Sequence, residues 1–119
     1  MAIRPIALFC YKWNKLRINQ RTILLMGYPK RVRLLINPEK KELAIQPCND
    51  YETLSFKVPS DFLDDKHGFE LSSQKLISLI YQTMCWQKDK SYRVYGSYNP
   101  KENIVVFQLN VFSINQNIH

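Results

Sequence analysis

The sequence predicts a mainly β protein with short helices (an α+β chain), built from a strand-strand-helix-strand-strand unit that occurs twice. Short stretches alternate apolar and polar residues, the two-residue period of a half-buried strand. Two segments align without a gap: Asn37-Pro38-Glu39-Lys40-Lys41-Glu42-Leu43-Ala44-Ile45-Gln46-Pro47 and Asn99-Pro100-Lys101-Glu102-Asn103-Ile104-Val105-Val106-Phe107-Gln108-Leu109. The length of 119 residues, 45% of them apolar, allows one domain or two very small ones sharing a core.

In the first unit, residues 1–50, Ile6 to Tyr11 is a strand and Leu16-Arg17-Ile18 a second, half-buried one. Asn19 is placed to cap a short helix from Gln20 to about Met26, which Gly27 ends in a left-handed conformation before Pro29. Val32-Arg33-Leu34-Leu35-Ile36 and Leu43-Ala44-Ile45 form a β-hairpin, because Pro38 fixes φ and lacks an N–H in the turn between them. The linker is roughly Cys48 to Glu52. In the second unit, residues 51–119, Thr53 to Val58 is the first strand and Phe69-Glu70-Leu71 the second. Asp61 to Gly68 reads as an acidic surface loop between them. Ser72 or Ser73 caps a helix whose stripe of Leu76, Ile77, Ile80, Tyr81 and Met84 faces the core, longer than the first helix by about two turns. Tyr92-Arg93-Val94-Tyr95 and Ile104 to Leu109 make the second hairpin, and the two units are expected to share one core.

Charge divides the units. Residues 1–59 hold 11 Lys+Arg and 4 Asp+Glu, and residues 60–119 hold six of each, so the whole net charge of +7 lies in the first half. A one-sided basic surface suits a polyanion, nucleic acid first; a plain solvated face is the alternative. No apolar run is long enough to cross a membrane, and the N-terminal run is too broken for a signal peptide, so a cytoplasmic protein without a membrane partner is expected. Cys10, Cys48 and Cys85 are odd in number and lack zinc spacing, which predicts reduced cysteines and no metal. Three isolated glycines make no phosphate loop, and His67 in a turn is more often a bystander than a base, so no catalytic residue, cofactor or enzyme activity is expected.

The order of elements, with Lys12-Trp13 before Leu16-Arg17-Ile18, Gly27 after the helix and Leu43-Ala44-Ile45-Gln46-Pro47 as closing strand, resembles the AbrB/MazE/MraZ superfamily. Antitoxin-type members have a basic-Trp pair followed by Val-Arg-Ile-Pro, and Tyr92-Arg93-Val94-Tyr95-Gly96 is similar to a segment of MraZ, which also holds two units in one chain. The resemblance implies a swapped-hairpin barrel in which two units interlock and a basic position on the second strand, here Arg17, contacts DNA. The chain departs from the pattern in three ways. The first turn is shortened to Asn14-Lys15, Asn19 and Ser72 replace a Pro, and Glu70 stands in the second unit where Arg17 stands in the first.

The strand period points Arg17 outward, with Lys12, Lys15 and Arg21 close in sequence. These residues could straddle a phosphate backbone while the Arg17 guanidinium reaches a base edge. Trp13 either stacks in that surface or anchors the core edge. Lys30, Arg31 and Arg33 form a second basic cluster, extended by Lys40 and Lys41 at a hairpin tip or simply solvated there. Tyr92 and Tyr98 should share one strand face and Tyr95 the other, which does not make a stacking platform. The expected function is a double-stranded DNA-binding regulator or antitoxin-like protein, acting as a homo-oligomer because one basic face binds weakly. The alternative is a protein-interaction module on the same fold that has lost DNA binding and contacts a protein partner.

Overall fold

The computed structural model describes residues 4–49, 55–59 and 68–115. The elements are β1 (Ile6–Cys10), β2 (Lys15–Ile18), α1 (Gln20–Leu25), β3 (Arg31–Asn37), β4 (Glu42–Pro47), β5 (Ser55–Lys57), β6 (Phe69–Ser72), α2 (Gln74–Met84), β7 (Ser91–Asn99) and β8 (Ile104–Asn115). The strand-strand-helix-strand-strand order therefore occurs twice. All eight strands pair antiparallel in one sheet, ordered β5-β3-β4-β8-β7-β1-β2-β6, which nearly closes into a barrel. Strand alternation sends one set of side chains inward, and residues from both ends of that order, Val32 and Phe69 among them, join a single buried cluster. A flat sheet would hold those ends apart; curling brings its apolar face around one core.

Four of the seven strand pairings join a strand before residue 50 to one after it: β1 with β7, β2 with β6, β3 with β5 and β4 with β8. The registers have an approximate two-fold symmetry. Ala44 opposes Val106, flanked by Leu43 with Phe107 and Ile45 with Val105. Arg17 opposes Glu70, flanked by Leu16 with Leu71 and Ile18 with Phe69. At the centre of each pairing, Ala44 with Val106 and Arg17 with Glu70, the residues that align in the sequence comparison are the ones that meet across the sheet.

Local chemistry explains the elements. The Asn19 side chain accepts the Thr22 N–H at the start of α1, and the Ser73 Oγ accepts the Leu76 N–H at 3.1 Å at the start of α2. Both hairpin turns begin with an Asn whose Oδ1 accepts a turn N–H, from Lys40 in one and Lys101 in the other. Both also end on a left-handed residue, Lys41 at φ 55 and Asn103 at φ 53. Gly96 faces inward, where a Cβ would sit 2.9 Å from the Phe107 ring, so its lack of a side chain makes room for that buried phenylalanine.

Several bounds differ from the sequence reading. The first turn is Tyr11–Asn14, with Asn14 at φ 52, so Lys15 belongs to β2 instead of the turn. The helix α2 has 11 residues against six in α1, an excess of five, which is nearer one and a half turns than two. Ser73, not Ser72, is its cap, because Ser72 is still paired in β6. Strand β8 runs six residues beyond Leu109, following the longer β7. Of the strand expected at Thr53–Val58, Ser55–Lys57 form β5 and Val58 lies just beyond it, while the loop expected from Asp61 onward, with His67, lies outside the described residues apart from Gly68.

Candidate nucleic-acid interface

The outer face of β2, β1 and β7 is built around Leu8. This residue pairs with Arg17 on one side and Arg93 on the other, so two arginines flank it about 10 Å apart, two strand spacings. A concavity of about 260 Å³ lies here, lined by Ile6, Leu8, Arg17, Asn19 and Arg93. Asn19 fixes its floor. Its Oδ1 accepts the Ile6 N–H at 3.0 Å and the Thr22 hydroxyl at 2.6 Å, and its Nδ2 donates to the Arg4 carbonyl at 2.9 Å. One cap residue thereby ties α1 to β1. Lys15 lies two residues from Arg17 on the same face, exposed.

The turn Tyr11–Asn14 projects beside this face. Trp13 is 48% exposed and the Lys12 ammonium lies 5.1 Å from its ring centroid, so Trp13 is a surface residue stacked under a cation and not a core anchor. Arg21, in the first turn of α1, is also exposed.

Glu70 interrupts the positive field. Its carboxylate accepts from Arg17 at 2.9 Å and ion-pairs with the Lys15 Nζ at 2.9 Å. Hydrogen bonds from Lys15 and then Arg17 hold the Glu70 carboxyl below its ordinary range, partly opposed by burial. Arg93 is exposed and makes no ion pair among the described residues.

Lys30, Arg31 and Arg33 are not brought into this face. Arg31 and Arg33 lie on β3, which pairs with β4 and β5 and with none of β2, β1 and β7. They are half-buried and engaged: Arg31 donates to the Ser55 Oγ at 2.9 Å, and Arg33 donates twice to the Gln46 Oε1, at 3.0 and 2.7 Å. Lys30 precedes β3 and is exposed, as are Lys40 and Lys41 at the hairpin tip.

Arg93 is the residue that sequence reasoning did not select. The signal was present, since Tyr92-Arg93-Val94 has the same apolar-basic-apolar alternation as Leu16-Arg17-Ile18. Arg4 was also passed over; its guanidinium stands 5.4 Å above the Tyr95 ring on the same outer surface. Tyr95 does face outward, with Tyr92 buried and Tyr98 packed against the core, as the strand period requires.

Other parts of the surface offer less. A hollow of about 380 Å³ at the end of α2, beside Tyr11, Gln82, Cys85 and Lys88, backs onto ring–ring contacts of Tyr81 and Trp86 instead of convergent polar groups. Among the described residues no three His, Cys, Asp or Glu side chains are grouped to hold a metal, and no helix is long and apolar enough to cross a membrane. The three cysteines are free. No family model matches the chain, and no curated protein or solved structure matches it either.

Proposed function

We propose that the protein binds double-stranded DNA through the outer face of β2, β1 and β7, as an AbrB/MazE/MraZ-like chain whose two units exchange hairpins within one barrel. The four pairings between the first and second halves support the swapped-hairpin reading, since β3 pairs with the first strand of the second unit and β7 with the first strand of the first. The observation that carries the function is the Arg17–Leu8–Arg93 row with Lys15 beside it. The strands hold these cations in register, and they can meet successive phosphates while Lys12, Trp13 and Arg21 extend the contact along the backbone. Lys30, Arg31 and Arg33 lie outside this footprint.

A second reading, a protein-interaction surface, is favoured by Glu70, which neutralises one of the cations the DNA reading needs. Fluorescence anisotropy with mixed-sequence duplex, titrated with salt, separates the two. Five phosphate contacts would give a log–log slope of about −4.5, and Arg17→Glu and Arg93→Glu should each weaken binding and flatten that slope by about one or more. Lys40→Glu, at the remote hairpin tip, serves as the control. No binding at low salt would overturn the DNA reading in favour of the protein-partner one, and equal weakening by all three variants would overturn the assignment of the contact to this face.

A further inference from the structure

Strand β8 continues where its neighbour stops. Its pairing with β4 spans Val105 to Gln108, and the Leu109 N–H makes a last bond to the Lys41 carbonyl at 2.9 Å. From Phe112 to Asn115 it has β7 on one side, after a register shift that leaves Gln108 to Val111 without a β7 partner, and among the described residues no strand lies against the other. This open edge is apolar. Phe112 and Ile114 pair with the inward-facing Val94 and Tyr92, yet they are 42% and 45% exposed, and Val111 is 65% exposed. Phe112 packs edge-on against Trp86 and Tyr92 and leaves its other side open. Soluble proteins usually guard such an edge with Lys, Pro or a covering loop, but β8 has no charge and no proline in its 12 residues.

We infer that this edge pairs antiparallel with the same edge of a second copy, about a two-fold axis at Ser113. The occupant follows from charge and register. Two copies of so basic a chain repel over most of their surfaces, and the uncharged β8 is where they can approach without that penalty. An axis at Ser113 sets serine opposite serine and Phe112 of each copy opposite Ile114 of the other, an aromatic–β-branched pair on each side of the axis. With the axis at Ser113 the contact runs from Val111 to Asn115, five residues spanning about 17 Å of edge, which is small for a protein interface and predicts a dissociation constant in the micromolar range.

The inference deepens the proposed function and rests on it for its purpose. Ser113 pairs with Arg93, Arg93 with Leu8 and Leu8 with Arg17, so pairing at Ser113 continues the outer row directly into its copy. One sheet face would then present four arginines in line, with the two Arg93 positions about 14 Å apart.

Sedimentation velocity without DNA, from about 1 to about 200 μM protein, tests the association itself. The expected result is a concentration-dependent dimer that Ser113→Lys abolishes by placing two ammonium groups face to face. Ser113→Cys should give a covalent dimer under mild oxidation that the parent chain, with its own three cysteines, does not give. This second variant decides the matter if the lysine variant fails to fold. A monomer throughout the range, a dimer unaffected by Ser113→Lys, or no excess cross-linking of Ser113→Cys would overturn the inference. A monomer that still binds duplex would overturn it alone and leave the DNA reading standing.

Discussion

The two halves of the chain meet at four strand pairings, and the two that bring equivalent strands together differ. Where β4 meets β8, apolar residues oppose apolar residues, and the register is symmetric about Ala44 and Val106. Where β2 meets β6, the flanking pairs are again apolar, but the central pair is Arg17 against Glu70. Two identical units would put arginine opposite arginine there, and like charges directly opposite destabilise a strand pair. A single chain holding two unequal units can set a carboxylate against the guanidinium instead. The same ion pair lowers the positive charge of the face that would contact DNA. The halves also end differently: β4 stops at Pro47, which cannot donate to a further ladder bond, while β8 has Leu109 at the matching position and runs on to Asn115.

The largest test of the shared core is Phe107→Ala. Phe107 is fully buried, opposes Leu43 across the halves and fills the space left by Gly96. Truncation should cost about 3–5 kcal/mol in denaturant unfolding, in one cooperative transition that involves both halves. Two separate transitions would show that the halves do not depend on one core.

A smaller effect is expected where α2 meets the turn after β1. The Tyr81 hydroxyl accepts the Tyr11 N–H at 3.2 Å and donates to the Lys90 carbonyl at 2.7 Å. Burial pushes its phenol far above the ordinary value, so it stays protonated and able to donate. Tyr81→Phe leaves those backbone groups without the hydroxyl and should cost about 1–3 kcal/mol. The helix ends give a finer comparison. The left-handed position after α1 is Gly27 at φ 82, whereas α2 closes on Cys85 at φ 55. Cys85→Gly should therefore stabilise by about 0.5–1 kcal/mol, read as a raised unfolding midpoint.

Much of this architecture was legible in the sequence because it rests on local chemistry. Asn19 caps α1, the two Asn-Pro turns match, and the stripe on α2 gives Leu76, Ile77, Ile80 and Tyr81 as buried. The ends of strands were less legible, because strand length depends on which neighbour is available; β8 extends only because β7 does. The site divided along the same line. Strand alternation placed Arg17 outward correctly, but only the sheet order reveals that Arg93 stands across Leu8 from it and that Arg33 lies on a strand that pairs with none of β2, β1 and β7. The most consequential pairing, Arg17 with Glu70, joins two residues 53 apart in the chain that the repeat aligned as equivalents, and alignment alone does not say that equivalents touch.

Glu70→Gln gives the smallest change in stability and bears most directly on the comparison of halves. Glu70 is about one-third exposed, so its ion pairs are well screened and their loss should cost less than about 1 kcal/mol. The sign with pH is fixed by the direction of its shift. The folded carboxyl is more acidic than the unfolded one, so the contribution is present above the ordinary carboxylate range and fades as pH falls through the lowered folded value. The Gln variant should lack that component of the acid dependence. Its effect on DNA should be opposite in sign to its effect on the fold. Removing the carboxylate frees Lys15 and Arg17 for phosphate, and duplex affinity should rise about three- to ten-fold at low salt, with the gain shrinking as salt is added. If affinity rises in Glu70→Gln and falls in Arg17→Glu, Glu70 restrains the face that Lys15 and Arg17 share with Arg93. If neither variant changes affinity, the point where β2 meets β6 serves the barrel alone.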